Sequence, residues 1–181
     1  KHSFLVRSAA ELLDVVPRAF AIAASGRPGP VLIDVPKDVQ TETADVAVWP
    51  EPGMPLPRPA PEDAAIDRAA AMIDVSSRPI LYLGGGVIAA GAAESAVAFA
   101  EKIGAPTVMT LMALGAMPAG HPLSLGMLGM HGARCTNMAL EECDLLIAAG
   151  ARFDDRATGK AATFCPGAKV IHIDIDPAEL G

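Results

Sequence analysis

The length, composition and charge of this chain exclude several classes of protein. Its 181 residues are 51% hydrophobic and 19% charged, which suits one well-filled globular domain and part of another. The net charge of −7, with no basic face or tail, disfavours binding to nucleic acid or to anionic membranes. No apolar run reaches the roughly 18 residues that span a bilayer. Three cysteines without CxxC spacing argue against a zinc site or a disulfide framework, and we expect a cytoplasmic protein.

The first 61 residues predict the end of one domain followed by a linker. Residues 9–25 have the apolar spacing of a helix whose buried face comprises Leu12, Leu13, Val16, Phe20 and Ala23. Residues 31–35 are typical of a strand covered on both faces. One helix and one strand cannot bury a core alone, so we expect the rest of this sheet to lie outside the sequence. Residues 37–61, with a proline at every second or third position from Pro50, predict an extended linker.

Beyond the linker, strands and helices alternate. The pattern predicts helices at 62–75, 92–103 and 136–142, and strands at 79–83, 106–109, 145–149 and 170–173. Residues 110–137 are predicted to form a long apolar loop rich in glycine and methionine, residues that could fill a core or line the flat ring of a flavin. The alternation implies a three-layer, doubly wound α/β fold with a parallel sheet.

Two blocks near the end of the sequence predict a nucleotide site. Gly150-Ala-Arg-Phe-Asp-Asp-Arg156 follows a predicted strand, and His172-Ile-Asp-Ile-Asp-Pro177 contains another. Ligands of open α/β sheets lie outside the carboxyl ends of the strands, where an arginine can hold a diphosphate and a carboxylate can contact a ribose. Arg152 fits the first role. The alternative for this cluster is a solvated loop with internal ion pairs.

The aspartates of the second block alternate with isoleucines. Asp174 and Asp176 are therefore expected on one side of the strand, one contacting a ribose or adenine and the other capping a helix that begins at Pro177. No third acidic or histidine ligand accompanies the pair, so a metal site has little support.

Gly84-Gly85-Gly86 and His131 complete the set of candidates. The three glycines could offer bare amides to a phosphate or simply form a tight turn, and without a full GxGxxG fingerprint a standard NAD site is not supported. His131 is expected to pack or hydrogen-bond at a cofactor rather than to act as a base. No general base, activated nucleophile or metal cage is evident, so this part of the protein is predicted to bind rather than to catalyse.

Several segments together resemble the catalytic large subunit of acetolactate synthase, also called acetohydroxyacid synthase. The segments are Lys1–Val6, Ser25–Gln40, Thr110–Met112, Leu125–Gly132, Gly150–Arg156 and His172–Glu179. The Ser-Gly-Arg-Pro-Gly-Pro block within the second segment indicates only the wider group of thiamine-diphosphate enzymes. The combination extends over essentially the whole chain and is specific to the acetolactate synthases.

The resemblance implies a domain organisation and an activity. Residues 1–36 would end a pyrimidine-binding domain, 37–61 would be the linker, and 62–181 would form a Rossmann-like central domain that binds FAD without net redox change. The full-length enzyme would use thiamine diphosphate and Mg²⁺ to condense two pyruvates, or pyruvate and 2-oxobutyrate, towards the branched-chain amino acids. The family also implies the missing domains of the same chain as partners, and a homodimer or tetramer with a small regulatory subunit.

Carried over by position, the resemblance also implies site residues. FAD would be lined by Gly84, Gly85, Gly86, Thr110, Leu111, Leu128, Gly129, Met130, His131, Gly150, Ala151, Arg152, Phe153, Asp154, Asp155, Arg156, Asp174 and Ile175. The positions that resemble those near the substrate channel are Lys1, Met130, Asp155 and Arg156. The activating glutamate and the Gly-Asp-Gly motif that holds magnesium would lie upstream of Lys1 and beyond Gly181, so we expect the chain alone to be inactive.

The sequence departs from the family pattern at three places, and two alternatives remain open. Ala133-Arg-Cys135, and more mildly Ala113 and Ala157, weaken the expectation of tight FAD retention. The alternatives are the central domain of another thiamine-diphosphate decarboxylase or carboligase, and a non-catalytic nucleotide-binding or scaffold module.

Overall fold

The computed structural model describes residues 1–180. The chain divides into two compact units, Lys1–Ala60 and the remainder from Pro61 onward. The prolines from Pro50 to Pro59 lie in a segment without regular secondary structure in the first unit.

The first unit is built on a small parallel sheet. Strand β1 (His2–Leu5) pairs with β2 (Val31–Asp34). The predicted helix is confirmed as α1 (Leu12–Ala24), preceded by a 3₁₀ turn at Ala9–Glu11. A short helix α2 (Lys37–Gln40) follows β2. The sequence pattern predicts β2 but not β1, and it assigns the residues of α2 to the linker.

The core of this unit corrects two predictions. Val6, Val15 and Val39 are its buried centre, so α2 belongs to the packed unit rather than to an extended linker. On α1 the buried residues are Val15 and Ala19, whereas Phe20 is 65% exposed. The predicted apolar face is therefore wrong for Val16 and Phe20, whereas Leu12, Leu13 and Ala23 are partly buried as expected.

The second unit contains a five-stranded sheet in which every pairing is parallel. Its strands are β3 (Pro79–Leu83), β4 (Thr107–Met109), β5 (Ser124–Met127), β6 (Leu145–Ala149) and β7 (Lys169–Ile173). The spatial order is β5-β4-β3-β6-β7. Counted within the unit this is 3-2-1-4-5, the order that begins doubly wound nucleotide-binding sheets.

Helices cover both faces of this sheet, which confirms the three-layer prediction. They are α3 (Asp63–Asp74), α4 (Gly85–Ala89), α5 (Ala93–Ile103), α6 (Arg134–Glu142) and α7 (Asp155–Thr158). Alternate residues of β3 enter different cores: Leu81 and Leu83 pack in one with residues of α3 and α5, while Ile80 and Tyr82 pack in the other with Leu140 of α6.

Residues 110–137 are not the structureless loop that the sequence predicts. They contain a 3₁₀ turn at Leu111–Ala113, strand β5 and the beginning of α6. β5 has the sequence Ser-Leu-Gly-Met, without β-branched residues, and it lies at the edge of the sheet beside β4 alone. Its register shifts between Ser124 and Gly126, where Gly126 has a φ of +74°. A strand interrupted in this way carries little of the periodicity by which strands are recognised.

The amino ends of β3 and β6 are joined by one carboxylate. Asp144 accepts hydrogen bonds from the Ser76 hydroxyl and from the amides of Ser77 (2.8 Å) and Arg78 (3.0 Å). These bonds, led by that from Ser76, hold the pKa of Asp144 below its ordinary value. The contact fixes the turn that leads into β3.

None of the helices within residues 1–180 has both the length and the apolar character needed to cross a membrane.

Candidate functional site

Every segment that the sequence predicts to contact the cofactor in the second unit follows the carboxyl end of a strand. Gly84–Gly86 follow β3, Thr110 and Leu111 follow β4, Leu128–His131 follow β5, Gly150–Arg156 follow β6, and Asp174 and Ile175 follow β7. Because all five strands are parallel, these segments share one edge of the sheet. Segments that are up to about ninety residues apart in the sequence thus lie on one surface.

The centre of this edge is the point where the strand order reverses. From β3 the chain proceeds to β4 and β5 on one side and then returns to β6 on the other. In doubly wound sheets the crevice for a ligand opens at this position. The two strand ends that border it carry Gly84–Gly86 and Gly150.

Close packing of the backbone explains why glycines lie at the point where the strand order reverses. A Cβ at Gly84 would lie 2.1 Å from the carbonyl oxygen of Gly150, and one at Gly86 would lie 2.7 Å from the Cα of Gly150. Gly150 also has a φ of +55°, which disfavours any side chain. Only glycine therefore allows the ends of β3 and β6 to meet.

This packing corrects the prediction of bare amides. The amide of Gly84 donates to the carbonyl of Ala149, and that of Gly86 donates to the carbonyl of Gly150, both at 2.9 Å. Within residues 1–180 only the Gly85 amide of the three has no such partner. The glycine segment can offer a ligand one amide rather than three.

An aromatic cluster supports the segment after β6. The Phe153 ring makes edge contacts with Tyr82, Phe164 and His172, with centroids 5.8, 6.1 and 5.1 Å away. The buried Tyr82 hydroxyl donates to the carbonyl of Arg152 at 3.1 Å. The His172 Nε2 lies 2.9 Å from the carbonyl of Ala151, to which it can only donate. These contacts fix the backbone from which the Arg152 side chain extends.

Burial changes the chemistry of Tyr82. Desolvation, followed by the nearby negative charge of Asp154, raises the pKa of its hydroxyl well above the ordinary value of 10.0. The hydroxyl therefore remains a neutral donor to the Arg152 carbonyl at physiological pH. Tyr82 gives no functional signal in the sequence, because a tyrosine within a buried strand is typical of a hydrophobic core.

Arg152 borders a crevice at the ends of β6 and β7. The cavity has a volume of about 380 Å³ and is lined by Arg152, Phe153, Asp154, Ala178 and Glu179. The Arg152 side chain is exposed and forms no ion pair with any residue that the structure describes. A cation without a carboxylate partner at a strand end suits a phosphate.

The charges beyond Arg152 have local structural roles. Asp154 begins α7 and accepts hydrogen bonds from the amides of Arg156 and Ala157, both at 3.1 Å. Asp155 and Arg156 form an exposed pair at 3.8 Å. The alternative of a solvated loop with internal pairing therefore describes Asp154, Asp155 and Arg156, but not Arg152.

The two aspartates after β7 are not part of the strand. β7 ends at Ile173, so the expected alternation of Asp174 and Asp176 on one strand face is wrong. Asp174 accepts from the Asp176 amide at 2.9 Å, and Asp176 accepts from the Ala178 amide at 3.1 Å. The second contact caps the 3₁₀ turn Pro177–Glu179, as predicted for one of the pair.

Thr110 has a buried hydroxyl without a partner. Its Oγ1 is inaccessible to solvent and makes no hydrogen bond within the described chain. An unsatisfied buried hydroxyl destabilises a protein unless something bonds to it. Leu111 and Met112, which follow it, are exposed. The end of β4 thus holds one unsatisfied polar group, which is enclosed beside exposed apolar side chains.

The segment after β5 is held by a side chain that the sequence analysis missed. Asn137 of α6 accepts from the Gly129 amide at 2.9 Å and donates to the Gly129 carbonyl at 3.0 Å. The amide of the next residue, Met130, donates to the carbonyl of Arg156 at 3.0 Å. The segments after β5 and β6 are thereby joined. A single asparagine in the first turns of a helix gives no signal in the sequence.

The two side chains at the tip of this segment are solvent-exposed. Met130 is 66% exposed. His131 is exposed and has no hydrogen-bond, ion-pair or ring partner within residues 1–180. Leu128, by contrast, is buried in the core beneath. Of this segment, Leu128 supports the fold, whereas Met130 and His131 are available to a ligand.

Lys1 belongs to the first unit, where it has a structural contact. Its Nζ donates to the carbonyls of Ile22 and Ser25, both at 2.6 Å, at the carboxyl end of α1. A cation at this position satisfies carbonyls that a helix leaves unpaired. Its predicted place near a substrate channel stays a prediction.

A second crevice differs in character. It measures about 440 Å³ and is lined along β4, β5 and their connection by Met109, Leu114, Gly115, Met117, Pro118, Ala119, Ser124, Leu125 and Gly126. It has no charged group and none of the predicted cofactor residues. No cluster of three or more potential metal ligands occurs in the part of the chain that the structure describes.

Comparison with known proteins assigns the family. A sequence model of the family described as "Thiamine pyrophosphate enzyme, central domain" matches residues 66–181. The chain belongs to this family. The matched range contains the five-stranded sheet and all the segments at its carboxyl edge.

Several similar proteins are named acetolactate synthase or its large subunit. The chain is 59% identical over 181 residues to the isozyme 1 large subunit of Escherichia coli K12, covering 100% of this chain and 32% of that protein. It is 48% identical over 187 residues to the chloroplastic acetolactate synthase 1 of Zea mays, covering 100% and 29%. The resemblance stated from the sequence is confirmed, and the chain spans about a third of the length of these relatives.

A solved structure has the same fold. It is an X-ray structure of a protein from Mycobacterium smegmatis that is provisionally described as a thiamin diphosphate-dependent enzyme. It is 26% identical, with a TM-score of 0.82, and the match covers 99% of this chain and 34% of that one. The α/β fold of a thiamine-diphosphate enzyme is thus supported independently of the sequence comparison.

Proposed function

We propose that this chain is part of an acetolactate synthase, which condenses two pyruvates, or pyruvate and 2-oxobutyrate, to an acetohydroxy acid. The observation that carries the proposal is identity of 48–59% across the whole chain to proteins named acetolactate synthase or its large subunit. Within the proposal, residues 1–36 end the pyrimidine-binding domain. Thiamine diphosphate, held with Mg²⁺ by other segments, supplies the decarboxylation of pyruvate and the transfer of the two-carbon unit.

The second part of the proposal is that the carboxyl edge of the sheet binds FAD. Three observations support it. The strand order reverses at this edge, Arg152 is an exposed cation beside a 380 Å³ crevice, and the buried Thr110 hydroxyl needs a partner. Arg152, at the end of β6, would contact the diphosphate of a dinucleotide. Thr110, at the end of β4 and two strands away, would supply a hydroxyl.

The residues proposed to hold FAD have different tasks. Arg152 binds the diphosphate, and the Gly85 amide is available beside it. The Thr110 hydroxyl, which is enclosed in the unliganded chain, bonds to a polar atom of the ligand after a local shift at the end of β4 that exposes it. Met130 and Leu111 offer exposed apolar surface for a flat ring. Asp154 and Asp174 each hold neighbouring amides through Oδ1, and the Oδ2 of each can still accept a hydrogen bond from the ligand.

The test of FAD binding uses two variants and a control. We expect flavin fluorescence titration to give a weaker Kd for Arg152→Ala, by about tenfold or more, since a charge-assisted contact is lost. Arg68→Ala removes an exposed arginine of α3 that has no described partner, so its Kd should be unchanged. If both arginine variants weakened FAD binding equally, the cause would be the general loss of positive charge and not a contact between Arg152 and the diphosphate.

Thr110→Val separates binding from folding. The substitution removes a hydroxyl that is unsatisfied in the free protein, so the unliganded Tm should be unchanged or raised. The Kd for FAD should nevertheless rise, by about three- to tenfold for one neutral hydrogen bond. A lower unliganded Tm together with an unchanged Kd would contradict the assignment of Thr110 to the site.

The remaining candidate is a scaffold without a cofactor. A ligand that binds only the native state raises the Tm, and the rise grows with the ligand concentration. Bound flavin also absorbs at about 450 nm. A chain that shows neither effect with FAD would be the scaffold.

We also propose that the chain alone has no acetolactate synthase activity, and acetolactate formed from pyruvate and thiamine diphosphate by the purified chain would refute this.

A further inference from the structure

Two buried thiols precede two neighbouring strands of the sheet. Cys143 is two residues before β6, and Cys165 is four residues before β7. The strands are neighbours, with Leu145 in register with Lys169, so both cysteines lie at the amino ends of adjacent strands. Their exposures are 3% and 6%, and both belong to the same core cluster.

The two thiols belong to one buried cluster and are close enough for each to shift the pKa of the other. A side-chain hydrogen bond between them is the largest influence on the pKa of each: it lowers the pKa of Cys143 and raises that of Cys165. The Cys143 Sγ also lies 3.1 Å from the carbonyl of Leu140. Neither cysteine has a part in the proposed cofactor site, and both are free thiols in this structure.

The backbone at Cys165 is unusual. Its φ of +46° is the only positive value at a non-glycine residue within the described chain. Such a conformation destabilises the folded loop locally, by about 1–2 kcal/mol for an ordinary side chain. The strained turn from Phe164 to Ala168 therefore opens more readily than the strands beside it, which gives a small oxidant access to the pair.

We propose that Cys143 and Cys165 are an oxidisable dithiol that forms a reversible intrachain disulfide. The oxidant is a hydroperoxide. The Cys143 thiolate attacks the terminal oxygen of the peroxide, the O–O bond breaks, and the products are a sulfenic acid and, after protonation, an alcohol or water. The Cys165 thiolate then attacks that sulfur, the S–S bond forms, and the hydroxyl leaves as water. Two thiols lose two electrons in total, and one peroxide gains them.

The disulfide would close a loop that includes the Arg152 segment. Residues 143–165 contain β6, the whole of Gly150–Arg156 and α7. A crosslink over a loop of this length stabilises the folded state chiefly by restricting the unfolded chain. The oxidised protein should therefore have a higher Tm, by up to about 10 °C.

The test is peroxide treatment of the native chain, followed by unfolding in denaturant with an alkylating reagent and by peptide mass mapping. We expect a mass lower by about 2 Da, a crosslinked peptide pair containing Cys143 and Cys165, and Cys135 as the only alkylated thiol. Reduction with dithiothreitol should restore all three alkylation sites. The exposed Cys135 is the internal control for reactivity.

Variants separate the proposed pair from other oxidation products. Cys135→Ser should leave the crosslink and the Tm gain unchanged, whereas Cys165→Ser should abolish both. Because a buried variant could fail to fold, the peptide map of the unaltered chain decides by itself. Full alkylation of Cys143 and Cys165 after peroxide, their oxidation to sulfinic acid without a crosslink, or a disulfide through Cys135 would each overturn the proposal.

Discussion

Gly86 and Gly150 lie against each other where β3 and β6 end, with the Gly86 amide donating to the Gly150 carbonyl at 2.9 Å. A Cβ on Gly150 would lie 2.6 Å from the Cα of Gly86. This contact allows the two strand ends at the reversal of strand order to approach closely. It also determines the direction in which the Gly150–Arg156 segment leaves the sheet.

Gly150→Ala should be strongly destabilising. The substitution combines a left-handed φ of +55° with a backbone clash, and we expect a loss of about 3 kcal/mol or more in the free energy of unfolding. The matched control is Gly91→Ala, because Gly91 has a φ of +64° and nothing within 4 Å of a Cβ. The control should lose only about 1–2 kcal/mol. Urea denaturation of both variants measures the difference, and equal losses would mean that the clash is relieved by movement.

Tyr82 should titrate abnormally. It is the only tyrosine in the chain, so absorbance of tyrosinate near about 295 nm reports on it alone. Burial raises its pKa in the folded state above the ordinary 10.0. The stability linked to this group is fully present below pH 10.0 and is lost as the pH rises above that value towards the folded pKa. Ionisation of the folded chain at its ordinary pKa would show that the hydroxyl is accessible to water.

Tyr82→Phe should loosen the Arg152 segment without removing the ring. The variant keeps the aromatic contact with Phe153 and loses only the bond to the Arg152 carbonyl. We expect a loss of about 0.5–1.5 kcal/mol in the free energy of unfolding, measured by denaturation. A larger loss, comparable with that of Tyr82→Ala, would mean that the ring packing had changed as well.

Asn137→Ala should release the segment after β5. Both hydrogen bonds to the Gly129 backbone are lost, and we expect the free energy of unfolding to fall by about 1–3 kcal/mol. Hydrogen exchange at the Gly129 amide should accelerate more than at other amides of the unit. Glu141→Ala, an exposed position on the same helix, is the control and should change neither quantity appreciably. Unchanged exchange at Gly129 in the Asn137 variant would show that other contacts hold the segment.

Asp144 should contribute to acid sensitivity. Its pKa is depressed in the folded state, so its contribution is present at pH values above its ordinary 3.8 and is lost as the pH falls through the lower folded value. Asp144→Asn should therefore lower the Tm at neutral pH and reduce the further loss of stability on acidification. Asp67→Asn, at an exposed site on α3, is the control. Parallel pH profiles for wild type and Asp144→Asn would contradict this role.

Much of the second unit could be predicted from its sequence. The predicted strands at 79–83 and 145–149 have the observed bounds, because buried parallel strands are continuous apolar runs. Gly104 ends α5 with a φ of +64°, as a glycine after a helix should. The sequence does not predict β1 or β5. β1 begins with polar residues and pairs with a single strand, and β5 has an irregular register and no β-branched residue.

The sequence by itself determined the α/β class, the family and the segments that meet at the carboxyl edge of the sheet. Local periodicity and short glycine- and charge-containing blocks are sufficient for this. Only the tertiary structure decided which groups in those segments remain available. Asp154 and Asp174 bind neighbouring amides, the Gly84 and Gly86 amides bind β6 and its end, while Arg152 and the Thr110 hydroxyl have no partner within residues 1–180. Whether a polar atom is free to bind a ligand depends on its contacts with residues that are distant in the sequence. Short sequence patterns do not show those contacts.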